Sequence, residues 1–142
     1  MRLVLASASP RRLHLLQQAG VQTTVRPADV DEMELPGESP SDHVRRLALA
    51  KAAAVAAACP GETVLGADTV VVMGDTIFGK PVDLAAARAI LRQLSGRSHQ
   101  VLTGVCLHRP TPATPDVWVS RTAVHFRVLT EAVIEAYFAL VD

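Results

Sequence analysis

Neither sign of charge is in excess: 14 basic and 14 acidic side chains leave a formal net charge of zero over 142 residues. Such a balance argues against a nucleic-acid partner, which would ask for a basic excess, and against an acidic disordered tail. Long apolar runs are also missing. Arg, Lys, Asp or Gly interrupts the longest of them well short of the roughly 20 residues a membrane span needs. The first apolar run, Leu3 to Ala6, is followed by Arg11 and Arg12. It is far shorter than the apolar centre of a signal peptide, about 7–15 residues. A cytoplasmic protein with no membrane partner is the expectation. Cysteine is scarce, with only Cys59 and Cys106 and no CxxC spacing, which suits reduced structural thiols. The five histidines form no HxxxH pattern and none pairs with a cysteine at zinc spacing, so no zinc site is expected.

What is present is an apolar, foldable chain: 49% hydrophobic and 20% charged. Its length suits a single domain over residues 1–142. Arg2 to Ala6 reads as a buried strand. Ser9-Pro10 then caps and opens a helix that stops at Gly20, and Val21 to Val25 is extended. An acidic, Pro-containing loop follows over Asp29 to Ser41. Ser39 to Asp42 carries an S-x-x-D capping pattern that starts an Ala-rich helix, ended by Pro60-Gly61. Thr63 to Met73 is the strongest strand, with Gly74-Asp75 as a tight turn into Thr76 to Phe78. Asp83 to Leu94 is helical. His99 to His108 and Val117 to Val128 are strands joined by the loop RPTPATPD, and Thr130 caps a last helix reaching Leu140. Interleaved strands and helices define an α/β or α+β chain with a mixed sheet.

Five places could carry chemistry. Ser7 to Arg12 sits where a strand feeds a helix. Two hydroxyls, two guanidiniums and a helix N-terminus suit a phosphate there, or form an ordinary cap with two solvated arginines. Lys51 is the only charged residue between Leu47 and Gly61. It shares the apolar helical face of Val44, Leu47, Ala48 and Val55, so it either snorkels to water or meets an anion. Asp68 lies in GADTVVV, on the strand face of Val64, Gly66, Val70 and Val72. A carboxylate in such a row needs compensating charge or hydrogen bonds, functional or structural. Gly66 marks a bulge or a close approach of ligand. Gly74 to Lys80 matches GxxxxGK, but Pro81 stands where a P-loop needs Ser or Thr, and the segment reads as a hairpin. The P-loop reading fails, and Lys80 remains as a positive charge for phosphate. Asp29, Asp31, Glu32 and Glu34 form an acidic loop, either solvated or able to hold magnesium.

Taken in order, LASASPRR, the Asp31-Glu32 pair, RLALAKA around Lys51, GADTVV around Asp68, GKP at Gly79 to Pro81, SGRSHQVLTGV and TAVHFRVLTEAVIEAY resemble the Maf family of nucleotide pyrophosphatases. The resemblance runs along essentially the whole chain. It implies an α/β fold with an elongated mixed sheet, flanking helices and a cleft between two lobes. It implies hydrolysis of a nucleoside triphosphate to monophosphate and pyrophosphate with a divalent metal, magnesium or manganese. GADT, rather than a GSDQ-like version, looks like the branch acting on dTTP and UTP. Asp68 then resembles the proton acceptor. Arg11 and Thr69 match positions tied to substrate choice. Ser7, Arg12, Lys51 and Lys80 match polar and phosphate-contacting positions, while Glu32, with Asp68, matches the metal's neighbourhood. The resemblance further implies a homodimer, and a segment beyond the last helix, with a glutamine, a lysine and more strand, that these residues do not match. The rival reading is a non-catalytic nucleotide-binding regulator of cell division, since the family is also associated with septum formation.

Overall fold

Local capping chemistry sets the helix starts. In the computed structural model, which describes residues 2–111 and 114–140, Oγ of Ser9 accepts from the backbone N–H of Arg12 and opens helix α1, Pro10–Gln18. Oγ of Ser39 accepts from Asp42 in the same way and opens α2, Pro40–Ala58. Oδ1 of Asp83 accepts from Ala86 at 2.8 Å and opens α3, Leu84–Leu94. Oγ1 of Thr130 accepts from Val133 at 3.2 Å at the start of α4, Glu131–Leu140. Each side-chain oxygen satisfies one of the N–H groups that a helix start leaves without a partner.

Among the described residues six strands accompany them: β1 (Arg2–Ala6), β2 (Gln22–Val25), β3 (Val64–Met73), β4 (Thr76–Phe78), β5 (Ser98–His108) and β6 (Asp116–His125). The sheet order is β2-β1-β3-β5-β6, with β4 on β3. β1 pairs in parallel with both β2 and β3, whereas β3 and β4 are antiparallel. The sheet is therefore mixed, and helices flank it. The β3–β4 hairpin turns at Gly74, whose φ of +60° suits glycine. The GxxxxGK stretch is thus hairpin, not a phosphate loop before a helix. Five strand edges differ from expectation; the starts of β3, β5 and β6 are each displaced by one residue. The N–H of Val21 is taken by the carbonyl of Leu16 at the end of α1, so β2 starts one residue later. β6 stops at His125 rather than Val128: Phe126 and Arg127 bond instead to Arg97 and Gly96 in the turn before β5, where Gly96 has φ +66°. Of the loop RPTPATPD, positions 112 and 113 lie outside the described residues.

The chain divides into two compact units. The first comprises Met1–Thr69 and Leu102–Ser120. Its core gathers Val4 and Ala6 of β1, Ala48, Ala52 and Val55 of α2, Val64 of β3 and Cys106 of β5, with Cys59 at the end of α2. Both cysteines are free and buried. Two sheet glycines seat α2. A Cβ on Gly66 would lie 2.4 Å from the carbonyl oxygen of Ala48, and one on Gly104 would lie 2.1 Å from that of Val44. Gly66 thus marks a close approach, but of a helix backbone rather than a ligand. In contrast, α1 buries no residue fully, and its Leu15 is 65% exposed.

The second unit comprises Val70–Val101 and Arg121–Asp142. Here α3 and α4 are joined by forked ion pairs, Arg88 to Glu135 and Arg92 to Glu131, and Arg88 lies 5.2 Å above the ring of Phe138. Ile134 and Leu94 are its buried apolar residues on the helices. His99 packs edge-on against Phe126 with ring centroids 4.8 Å apart. Among the described residues, no helix is long and apolar enough to cross a membrane.

Candidate functional site

Strand order places the site. From β1 the chain passes through α1 to β2 on one side, and β3 occupies the other side. The order reverses between β1 and β3, and open α/β sheets bind ligands outside the carboxyl ends of strands at such a reversal. The parallel register pairs Ala6 with Gly66. Ser7 follows directly on β1, and Asp68 and Thr69 lie just beyond that pair on β3. Parallel pairing thus brings together residues about sixty positions apart in the chain.

Arg12 ties the end of β1 to the neighbouring middle of β3. Nη1 donates to Oγ of Ser7 at 2.8 Å and to the carbonyl of Ala67 at 3.4 Å, while Nη2 donates to Oγ1 of Thr69 at 2.9 Å. Oγ1 of Thr69 also meets Oγ1 of Thr103 on β5 at 3.0 Å. Ser7 is itself buried, and its hydroxyl accepts from the backbone N–H of Ser9 at 3.2 Å. Burial holds the Arg12 guanidinium below its ordinary pKa; the Asp68 carboxylate acts in the opposite sense, and neighbouring Arg11 adds to the lowering. Arg11 is exposed on the first turn of α1.

Lys51 does not snorkel to water. Its Nζ lies 2.9 Å from Oδ1 of Asp68 and 2.8 Å from Oε1 of Glu32. The Asp68 and Lys51 side chains are 10% and 14% exposed, whereas that of Glu32 is 59% exposed. The buried carboxylate in an apolar strand is therefore compensated by charge from the facing helix, as a buried charge requires. Gly66, two residues before Asp68, lets α2 come close enough for this pair to form.

Seven of the candidate positions, Ser7, Arg11, Arg12, Glu32, Lys51, Asp68 and Thr69, fall in the first unit, and six of them join through the contacts above. Arg11 makes no such contact here, and Lys80 belongs to the second unit, exposed after β4. Sequence reasoning missed Thr103 and a network of Glu38, His43 and Arg46. Oε2 of Glu38 accepts from Nε of Arg46 at 2.6 Å, and its Oε1 meets Nδ1 of His43 at 3.1 Å. The hydrogen bond from Arg46, followed by those of His43 and Leu35, holds the Glu38 carboxyl at about 2, against an ordinary 4.5. Burial opposes that lowering. No local pattern marks these residues, because their meeting depends on the path of an irregular loop.

These contacts define a polar, charge-compensated cluster where the strand order reverses. The profile of the Maf-like protein family matches residues 2–141. An Anaeromyxobacter dehalogenans protein named dTTP/UTP pyrophosphatase is 53% identical over 139 residues, covering 96% of this chain and 69% of the relative. A Paramagnetospirillum magneticum protein of the same name is 51% identical over 142 residues, covering 96% and 72%. Among solved structures, the Staphylococcus aureus Ham1 protein superposes with a TM-score of 0.63 at 16% identity, covering 88% of this chain and 71% of that one. This last likeness concerns the fold. The chain belongs to the Maf-like family.

Proposed function

We propose that this chain is a nucleoside-triphosphate pyrophosphatase that cuts dTTP or UTP into the monophosphate and pyrophosphate. The observation that carries the reading is the meeting of Glu32, Lys51 and Asp68 beside the Arg12 cluster, where the carboxyl end of β1 lies against the middle of β3. The relatives' shared name supplies the substrate. In this reaction water attacks the α-phosphorus, the bond from that phosphorus to the bridging oxygen breaks, and pyrophosphate leaves. The attacking water must lose a proton, and Asp68 is the acceptor in this reading. Arg12 and Lys51 offset the triphosphate charge, Ser7 adds a polar contact, and Arg11 with Thr69 biases the choice of nucleotide.

The donor set fits a hard divalent ion. Glu32 and Asp68 present carboxylate oxygens to a single centre of positive charge, Nζ of Lys51. Among the described residues no group of three or more His, Cys, Asp or Glu side chains is gathered. Magnesium is commonly bound by one or two carboxylates together with substrate phosphates, so Glu32 and Asp68 would hold magnesium or manganese here. Such an ion supplies neutralisation of phosphate charge. A screen of nucleoside triphosphates with either metal, following monophosphate and pyrophosphate, tests the reading. Release of the diphosphate and orthophosphate would show that a different bond is cut. Binding without any turnover would favour the regulator instead.

A further inference from the structure

The segment between β2 and α2 presents Glu32 to the site, yet little apolar burial holds it. Past Glu32 its large apolar side chains face water: Met33 is 72% exposed and Leu35 is 51% exposed. A loop without burial keeps one conformation only where polar contacts outweigh the entropy of ordering it. Such contacts converge on Arg46 and Glu38. Arg46 grips Glu38 with a fork, Nε to Oε2 at 2.6 Å and Nη2 to Oε1 at 3.0 Å. The same Nη2 donates to the carbonyl oxygen of Met33 at 2.9 Å, one residue past Glu32. Oε1 of Glu38 also accepts from the backbone N–H of Leu35 at 3.3 Å. Nearer the site, Oδ1 of Asp31 accepts from the N–H of Met33 at 3.0 Å. The Glu38 side chain is 9% exposed and Arg46 is 32% exposed, so the pair is largely shielded from water. Arg46 and Lys51 stand on one helix, so the loop is referenced to the element that carries the ammonium facing Glu32.

We infer that Arg46 and Glu38 are positioning residues, holding the Asp31 to Glu38 loop so that Glu32 faces Lys51 and Asp68. The inference rests on the pyrophosphatase reading for its consequence in turnover, though not for the clamp itself. Only arginine serves both contacts, because a lysine ammonium lacks the planar fork that grips Glu38 while reaching Met33. Groups that orient ligands from behind commonly matter about ten- to a hundredfold in activity.

Two measurements on the full chain test it. Amide hydrogen exchange of Arg46→Met and Glu38→Gln should show at least about tenfold faster exchange at Met33 and Leu35, with the protection of α2 and β3 retained. Unchanged exchange in the loop would overturn the clamp. If Arg46→Met fails to fold, the near-isosteric Glu38→Gln decides. The second measurement is pyrophosphate release in a double-mutant cycle with Glu32→Gln. Arg46→Met should lower kcat about ten- to a hundredfold in the parent, add little further loss in the Glu32→Gln background, and be partly restored by Arg46→Lys. An equal loss in both backgrounds would mean that Arg46 acts through something other than Glu32, and would overturn the positioning role. A parent that releases no pyrophosphate would sink the pyrophosphatase reading, while the exchange data still judge the clamp.

Discussion

A single added methyl group tests how α2 is seated. Gly66 lies in the middle of β3 with no positive φ, so alanine is sterically acceptable to the backbone. On conformational grounds alone, Gly66→Ala should stabilise by about 0.5–1 kcal/mol. Packing predicts the opposite. The new Cβ would sit 2.4 Å from the Ala48 carbonyl oxygen, 2.8 Å from the Ala52 nitrogen and 2.9 Å from the Ala52 Cβ. Two of these atoms are helix backbone, so no rotamer change relieves the clash. Ordinary contact requires α2 to retreat by about 1 Å. Overpacking of this kind costs about 1–3 kcal/mol, and a backbone obstacle points to the upper end, about a hundredfold in the folding constant. With a urea slope near 2 kcal/mol/M, the midpoint should fall by roughly 1.5 M. Gly79→Ala is the control, since a Cβ there meets nothing within 4 Å. The retreat would also draw Lys51 from Asp68, so turnover should fall in the folded fraction. A midpoint at or above the parent's would refute the seating argument.

Asp68→Asn should cut pyrophosphate release by about two to four decades while leaving the far-UV spectrum near the parent's, because the amide keeps the shape but cannot take a proton; near-parent turnover would remove Asp68 from the chemistry. Arg12→Ala should weaken triphosphate binding about ten- to a hundredfold by calorimetry and weaken nucleoside binding far less; equal triphosphate affinity would exclude a phosphate contact. Glu38 has a depressed folded value, about 2 against 4.5, so its stabilising contribution is present above pH 4.5 and is lost as pH falls through about 2. The stability gap between the parent and Glu38→Gln should therefore be widest near neutrality and close between those values in urea titrations; a gap independent of pH would contradict the assignment.

Residues whose role is local, or whose type conflicts with its surroundings, were legible in the sequence. Ser9-Pro10 and Ser39 to Asp42 cap helices because a hydroxyl reaches an N–H three residues on, a relation contained within one turn. Lys51 and Asp68 stood out as charges in apolar rows, and each proves to be the reason the other is tolerated. Gly66 signalled a close approach without saying what approaches, because a missing Cβ accommodates a helix as well as a ligand. The contact of Arg46 with Glu38 and Met33 left no trace. Arg46 sits in a helix and Glu38 in a polar loop, and both look like ordinary solvated charges until the loop path is known. Strand ends were misjudged where hydrogen bonds continue outside regular pairing, as at Phe126 and Arg127.

The two half-buried cations of the proposed site are compensated differently, and the difference bears on how a triphosphate would enter. Arg12 is held by neutral acceptors: a serine hydroxyl, a threonine hydroxyl and a backbone carbonyl. A phosphate oxygen is a stronger, charge-assisted acceptor than any of these. Exchanging a hydroxyl for phosphate leaves no unpaired charge, only a hydroxyl with an alternative neighbour, as Thr69 has in Thr103. Lys51 sits between two carboxylates. Turning its ammonium away would leave Asp68 and Glu32 facing each other without the cation that reconciles them, and like charges so placed repel. Arg12 is therefore the readier of the two to change partner when a phosphate arrives, while movement of Lys51 requires another positive charge to take its place. Reading a site by counting its cations misses this asymmetry, which lies in what each cation already holds.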